Sequence, residues 1–271
     1  MDYCVKNNDI ILSEKDFGLD DTLDCGQAFR WKKIESDYKC TYEGSFLNNY
    51  LRISEISDGL FILHNVSEED FLDRWLDYFD LSTDYSTLKE MFSEDETLSA
   101  ACKFANGIRL LKQDSWECLI SFIISQNNNI PRIKGIIERL CGMYGGRFPE
   151  ASELFEETPE TLSELRSGFR AKYICDASVK TATGIVNLAE IAQMPIEDAR
   201  TALKGICGVG PKVAECVLLF GMHRTEAFPV DVWIKRVLAE YYPEGFPEYL
   251  SSNAGIAQQY LFHYIRNLPE K

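Results

Sequence analysis

Long apolar runs, paired cysteines, histidines and any excess of positive charge are scarce or missing in this chain of 271 residues. No apolar run approaches the ~18 residues that cross a bilayer, so no membrane span is expected. The first sixteen residues, MDYCVKNNDIILSEKD, have neither the basic start nor the apolar core of a signal peptide, and a cytoplasmic protein is expected. Nine cysteines (4, 25, 40, 102, 118, 141, 175, 207, 216) include no C-x-x-C pair. An odd, unpatterned set fits reduced and mostly buried thiols better than a disulfide framework. The three histidines (64, 223, 263) are scattered, with no metal-ligand spacing. Repeats, low-complexity segments and long linkers are also absent.

The formal net charge is −15, which by itself argues against a polyanionic partner. Its distribution changes that reading. Residues 1–100 carry 23 acidic and nine basic side chains, whereas residues 101–271 carry 20 and 19. The second part has basic clusters at Arg132, Lys134 and Arg139, at Arg170 and Lys172, and at Lys235 and Arg236. A local basic face can bind phosphates on an acidic protein, with modest affinity that falls steeply with salt. The length suggests two or three packed units, and a composition 45% hydrophobic and 12% aromatic can fill a sizeable interior.

Residues 1 to about 66 read as strands. Ala28–Ile34, Tyr38–Tyr42, Tyr50–Ile56 and Leu60–His64 alternate or run apolar between turn residues, which predicts an antiparallel sheet. Ser67 is the expected cap of a helix running to Phe79. Helices are expected over Leu88–Phe92 and Leu98–Phe104. Asp114 to Glu117 resembles a capping box opening Cys118–Ile124, which is apolar all round and therefore a buried central helix. Further helices are expected from Pro131, from Pro159 to about Ser167, over Tyr173–Val186, and from about Gly255 to Arg266. The fold class is α+β: an N-terminal antiparallel sheet domain packed on a helical bundle. The expected division is a β domain at 1–85, a helical domain from 86–115 plus 237–271, and a second helical domain at 116–236.

The stretch from Leu203 to Arg236, LKGICGVGPKVAECVLLFGMHRTEAFPVDVWIKR, reads as helix, tight turn, helix, short loop, helix, with the hairpin at about 203–222. Gly208-Val209-Gly210 forces the turn, and Pro211 suits the first position of the next helix. Backbone N–H groups exposed there bind phosphate, and would grip a DNA strand without reading its sequence. Lys212 stands in the first helical turn, where the helix field disfavours positive charge and so favours the neutral, nucleophilic amine. Asp231 is placed to N-cap the helix that begins at Val232. From these residues alone a non-catalytic hairpin module also fits, with Lys212 a surface residue and Asp231 only a cap.

GVGPKVAEC followed by PVDVW resembles the helix-hairpin-helix/Gly-Pro-Asp signature of base-excision DNA glycosylases, and a lysine in the hairpin marks the bifunctional members. The likeness is greatest with the 8-oxoguanine DNA glycosylases and runs from about Cys25 to Phe262, as in a bacterial member of the eukaryotic-type branch. It implies a glycosylase that removes 8-oxoguanine opposite cytosine from duplex DNA, with Lys212 as nucleophile and AP lyase and Asp231 stabilising the cationic sugar. Gly26-Gln-Ala-Phe-Arg-Trp31 resembles the family's G-Q-[SA]-F-R-W, which implies that the Gly26 carbonyl bonds N7–H of the lesion. Ala254 to Phe262 resembles A-G-x-A-Q-x-x-L-F, so that Gln258 reads the Watson–Crick edge and Phe262 stacks on the base. Cys216 and Pro229 complete that pocket by the same likeness.

Asn127-Asn-Asn-Ile-Pro-Arg132 resembles N-N-N-I-A-R, implying that Asn127 fills the vacated stack and Arg132 reads the orphaned cytosine. Gly168-Phe-Arg-Ala-Lys-Tyr173 resembles G-Y-R-A-R-Y, with Phe169 the wedge and Arg170 a second cytosine reader. Gly208, Val209 and Gly210 would hold the DNA backbone, and a bridging monovalent or calcium ion would sit on the carbonyls of Lys204, Ile206 and Val209. No catalytic metal or other cofactor is implied. No cysteine follows Cys216, so the iron–sulfur cluster of endonuclease III-like relatives has no ligands here. A monomer is expected. Three residues depart from the family pattern: Phe169 for a common tyrosine, Cys207 for the proline before G-V-G, and Trp233 for a histidine. The alternatives are a glycosylase for another damaged purine, such as an alkylated one, and a non-catalytic hairpin protein that binds DNA.

Overall fold

Six strands form one antiparallel sheet in the order β1-β2-β6-β5-β4-β3. They are β1 (Asp2–Lys6), β2 (Asp9–Ser13), β3 (Lys32–Ile34), β4 (Cys40–Phe46), β5 (Asn49–Ser57) and β6 (Leu60–His64). The computed structural model describes residues 1–268. Alternation at period two gives the sheet its buried face. Ile10 and Leu12 of β2 oppose Leu63 and Phe61 of β6, and Ile53 of β5 opposes both Leu63 and Tyr42 of β4. All six are buried, and they pack with Phe17, Trp31, Trp75, Tyr78 and Phe79.

The expected strands over Tyr50–Ile56 and Leu60–His64 are present, and the one expected from Tyr38 starts at Cys40. The expected strand over Ala28–Ile34 shrinks to β3, because residues 25–31 fold as a loop around the buried Gln27 side chain. The β1–β2 hairpin was not singled out from sequence. β1 is an almost wholly exposed edge with no apolar alternation, and its turn uses Asn7 at φ 57° in place of a glycine.

This sheet belongs to a unit made of residues 1–112 and the chain from Val230 onward. Its helices are α1 (Leu19–Leu23), α2 (Glu68–Asp70), α3 (Leu76–Tyr78), α4 (Tyr85–Phe92), α5 (Glu96–Phe104), α12 (Val232–Tyr241) and α13 (Ala254–Asn267). Ser67 caps α2 as expected, its Oγ accepting Asp70 N at 3.1 Å. A π-helical turn at Phe71–Trp75 carries α2 into α3. Arg109, 1% exposed, ties the segment after α5 to the rest of the unit. Its guanidinium donates to the carbonyls of Asp16 (2.9 Å) and Asp80 (2.6 Å) and lies 4.5 Å from the Tyr85 ring centre.

The second unit spans Gln113–Pro229 and is helical. It contains α6 (Ser115–Ser125), α7 (Ile130–Met143), α8 (Ala171–Ala182), α9 (Leu188–Ile191), α10 (Ile196–Lys204) and α11 (Pro211–Cys216). Asp114 caps α6, accepting Glu117 N at 2.8 Å, and α6 is buried along most of its length, as its all-round apolar pattern requires. The helix expected from Pro159 is a 3-10 turn over Thr161–Leu165 instead, closed by Arg166 in the left-handed region at φ 54°. α11 continues as a π-helical turn over Val217–Gly221, and Phe220 stacks on Phe122 of α6 at 5.3 Å.

Candidate active site

In the second unit, α10, the turn and α11 form the expected hairpin. Gly208 sits at φ 81°, and a Cβ there would stand 2.4 Å from the Tyr173 ring, so glycine is required on both counts. Gly210 is the N-cap of α11 and Pro211 its first residue. The turn is braced from α8 by two residues that sequence reasoning passed over. Asp176 accepts Cys207 N at 2.7 Å, and Lys180 donates to the Gly205 carbonyl at 2.8 Å while paired with Asp176 at 2.9 Å. Their opposite charges at i, i+4 were the available signal.

Lys212 follows Pro211 and is partly exposed, with Nζ 5.1 Å from the centre of the Phe122 ring. Among the described residues of its unit, no hydrogen bond or ion pair engages that ammonium, so the amine stands over an apolar floor. Cys216, one turn on, is buried, and its carbonyl accepts the Cys118 thiol at 3.8 Å. Arg200 of α10 grips Glu215 of α11 through Nε at 2.6 Å and Nη2 at 3.1 Å. Glu215 also accepts Phe228 N at 2.8 Å, which fixes the chain just before the buried Pro229.

The three asparagines after α6 divide their work. Asn128 donates to Ile124 O at 3.0 Å and closes α6; Asn129 accepts Arg132 N at 3.0 Å and opens α7. Asn127, exposed at φ 45°, is the one left to project. Arg132 is exposed and donates to Arg166 O at 3.3 Å. Phe169 is 50% exposed, at the tip of a kink made by Arg166 and Gly168, both at positive φ. Arg170, which the family likeness makes a base reader, is 2% exposed and already engaged by backbone carbonyls. It donates to the carbonyls of Gln126 (2.9 Å from Nε), Ser167 (3.1 Å) and Asn127 (2.9 Å), bracing the asparagine loop. Burial holds its pKa below the ordinary arginine value, and the Arg132 charge adds to that. Contact with a base therefore requires it to exchange some of these bonds.

In the first unit, Asp231 caps α12, its Oδ1 accepting Trp233 N at 3.0 Å and Ile234 N at 2.9 Å. Trp233, in the departing position, lies 5.0 Å under the Arg236 guanidinium. Gly26 adopts φ 86°, and its carbonyl is engaged by no hydrogen bond among the described residues. The loop around it is fixed. Trp31 Nε1 donates to the Tyr78 hydroxyl at 2.6 Å, and Gln259 of α13 donates to Cys25 O at 3.2 Å. Burial pushes the Cys25 thiol up to about 11, so it stays protonated and donates to Thr22 O at 3.2 Å. Beside Gln259, Gln258 is 4% exposed, and its Oε1 has no hydrogen-bond partner. A buried orphan acceptor of this kind costs about 1–3 kcal/mol and marks a place where a ligand donor belongs. Phe262, one turn further on α13, is partly exposed.

Gly26, Asp231, Gln258 and Phe262 thus lie in the first unit. Asn127, Arg132, Phe169, Arg170, Lys204, Ile206, Gly208, Val209, Gly210, Lys212, Cys216 and Pro229 lie in the second. No helix among the described residues is long and apolar enough to cross a membrane.

The chain is similar to known proteins along nearly its whole length. The 8-oxoguanine DNA glycosylase N-terminal domain family matches residues 9–119, and the HhH-GPD superfamily of base excision DNA repair proteins matches residues 120–245. The N-glycosylase/DNA lyase of Saccharomyces cerevisiae is 33% identical over 86% of this chain and 70% of its own. The solved structure of MBOgg1 with a low-affinity DNA ligand is 40% identical, covers 98% of this chain and 99% of its own, and superposes with a TM-score of 0.89. The Clostridium acetobutylicum 8-oxoguanine glycosylase/lyase, solved with duplex DNA carrying cytosine opposite 8-oxoguanine, is 36% identical over the same shares with the same TM-score of 0.89. The chain belongs to the 8-oxoguanine DNA glycosylase family of N-glycosylase/DNA lyases, within the helix-hairpin-helix/Gly-Pro-Asp superfamily of base-excision repair proteins.

Proposed function

We propose that this enzyme releases 8-oxoguanine paired with cytosine from duplex DNA, and then nicks the strand through a Schiff base on Lys212. The observation that carries the reading is the buried, unpartnered Oε1 of Gln258, beside the loop that carries the free Gly26 carbonyl. 8-Oxoguanine presents N–H at position 7 where guanine has a lone pair. A fixed carbonyl at Gly26 bonds the first and repels the second. Gln258 supplies an acceptor for the donors of the Watson–Crick edge, and Phe262 a stacking surface. In the second unit the family likeness assigns Cys216 and Pro229 to the base as well.

Lys212 Nζ attacks C1′ as the N-glycosidic bond breaks, and the purine leaves with the bonding electrons and takes up a proton. Asp231, with Oδ1 held by the cap, offers its charge to the cationic sugar. The nitrogen then gives up a proton and the C1′–O4′ bond opens, O4′ taking up a proton, which leaves the Schiff base between Lys212 and C1′. Loss of a C2′ proton expels the 3′ phosphate, and water releases the lysine. Asn127 fills the vacated stack and Phe169 wedges the duplex. Arg132 reads the orphaned cytosine through its O2 and N3 acceptors, joined by Arg170 once it gives up carbonyl partners. Gly208, Val209 and Gly210 hold the backbone.

The carbonyls of Lys204, Ile206 and Val209 are hard oxygen donors of the kind that sodium, potassium or calcium takes. Ile206 O accepts Val209 N at 3.0 Å and keeps a second lone pair, so the set fits such an ion. These three carbonyls would hold the ion, which would supply positive charge for binding the DNA backbone. The steps assigned here use only side chains of this chain and water. The test is base release, by single-turnover assay, from duplexes carrying 8-oxoguanine or guanine opposite each of the four bases. Fastest release of 8-oxoguanine opposite cytosine is expected; release indifferent to the oxidised position would contradict the reading.

A further inference from the structure

Two buried amides hold the Cys25–Trp31 loop, and neither has a part in the reaction assigned above. Gln27 is 0% exposed, and its amide grips backbone groups of two other segments. Its Nε2 donates to Thr22 O at 2.9 Å, to Arg109 O at 2.8 Å and to Cys25 Sγ at 3.4 Å, and its Oε1 accepts Leu111 N at 2.9 Å. Gln259, 2% exposed, donates to Cys25 O at 3.2 Å. Gly26 lies between these two anchored residues, at a positive φ that leaves the direction of its carbonyl to its neighbours.

We propose that Gln27 and Gln259 are positioning residues that lock the Gly26 carbonyl and the Gln258 amide at one spacing, and that this lock selects the oxidised purine. The inference rests on the reading of Gly26 and Gln258 given above. A carbonyl discriminates N7–H from an N7 lone pair only if it cannot retreat. A mobile one swings away from guanine and loses the repulsion, while keeping some of the bond to the lesion. The Gly26 carbonyl belongs to the peptide unit shared with Gln27, so the anchors on Gln27 restrain its tilt. Gln259 adjoins Gln258 in α13, so its bond to Cys25 restrains how far the loop can slide along the helix. The two reading groups then act as one rigid gauge, and a purine must satisfy both at once.

The test uses the full-length enzyme with Gln259→Met, which keeps length and volume and leaves only one carbonyl unpaired. Gln27→Met, which frees three backbone groups, is the severer second variant. Two readouts are compared with wild type: the ratio of affinities for 8-oxoguanine and guanine duplexes, and cleavage of a preformed abasic site. For Gln259→Met the affinity ratio should fall about tenfold, the size of one lost buried hydrogen bond, while abasic-site cleavage stays within about twofold. Equal losses in both readouts would show a merely structural glutamine and overturn the proposal, as would an unchanged ratio. A wild-type enzyme with no preference for 8-oxoguanine would instead sink the functional reading, and this inference with it.

Discussion

Gln27 in the first unit and Arg170 in the second are both almost fully buried, and both hold a loop through bonds to backbone groups, Gln27 from within its loop and Arg170 from outside it. The loops they hold end differently. Gln27 anchors a segment whose free group is a backbone carbonyl, at Gly26. Arg170 anchors a segment whose exposed groups are side chains, Asn127 and the neighbouring Phe169, whose ring packs on Arg170 and Tyr173. The anchors differ in kind too. The amide is neutral and pairs with donors and acceptors alike, whereas the guanidinium is a charge withdrawn from water and only donates. Reading a base edge needs a fixed atom on a rigid mount. Filling a gap and splaying a duplex need reach, and a charged anchor can later be drawn toward a polyanion.

The largest expected effect lies on the rigid side. Asp231→Asn keeps an oxygen for the cap and removes the charge. Base release should fall roughly 10²-fold, with the helix cap and melting temperature nearly unchanged. Asp231→Ala should lose the same activity and also about 1 kcal/mol of stability, the usual worth of an N-cap. If the asparagine variant retained full activity under single turnover, the carboxylate would be only a cap.

Removing the charged anchor probes the other side. Arg170→Met leaves the carbonyls of Gln126, Asn127 and Ser167 without that donor, and should cost about 1–3 kcal/mol in urea unfolding. The loss should be larger than for Arg132→Ala, because Arg132 is exposed and makes one bond of 3.3 Å to a carbonyl. Equal losses would erase the distinction drawn between the two arginines.

Much of this was legible in the sequence, for reasons specific to each element. Pro211 and the glycine pair announced the hairpin, Asp114 and Ser67 announced their helices, and i, i+4 spacing placed Gln258 and Phe262 on one face of α13. The Cys25–Trp31 loop reads in part as strand, since Ala28, Phe29, Trp31 and Ile34 give an apolar and aromatic pattern. What overrides that pattern is Gln27, whose partners Arg109 and Leu111 lie more than eighty residues away and leave no local trace. Glu215 is hidden for the same reason, since it grips Phe228 N and Arg200 of other segments, whereas Asp176 and Lys180 carry a local i, i+4 charge signal that does not say what they brace. The burial of Arg170 was also invisible, because an arginine in a polar loop reads as exposed.

Smaller effects sharpen the comparison further. Arg132→Ala should lower the preference for cytosine opposite the lesion by about tenfold, as expected for one lost base contact, with stability within about 0.5 kcal/mol of wild type. Release rates across the four opposite bases measure it. Phe169→Ala should have the smallest effect on folding, since the ring is half exposed, and should weaken binding to a lesion duplex by a few fold in gel-shift titration. A marked drop in melting temperature would mean that the ring belongs to the fold and not to the interface.

The central claim is that Lys212 performs the chemistry, and borohydride trapping at low salt tests it most directly. Wild-type enzyme and Lys212→Gln are each mixed with a duplex carrying one 8-oxoguanine opposite cytosine, and with the undamaged duplex. The account predicts a covalent protein–DNA band only for wild type with the damaged duplex. A band of equal intensity from Lys212→Gln, or base release by wild type with no band at all, would contradict it.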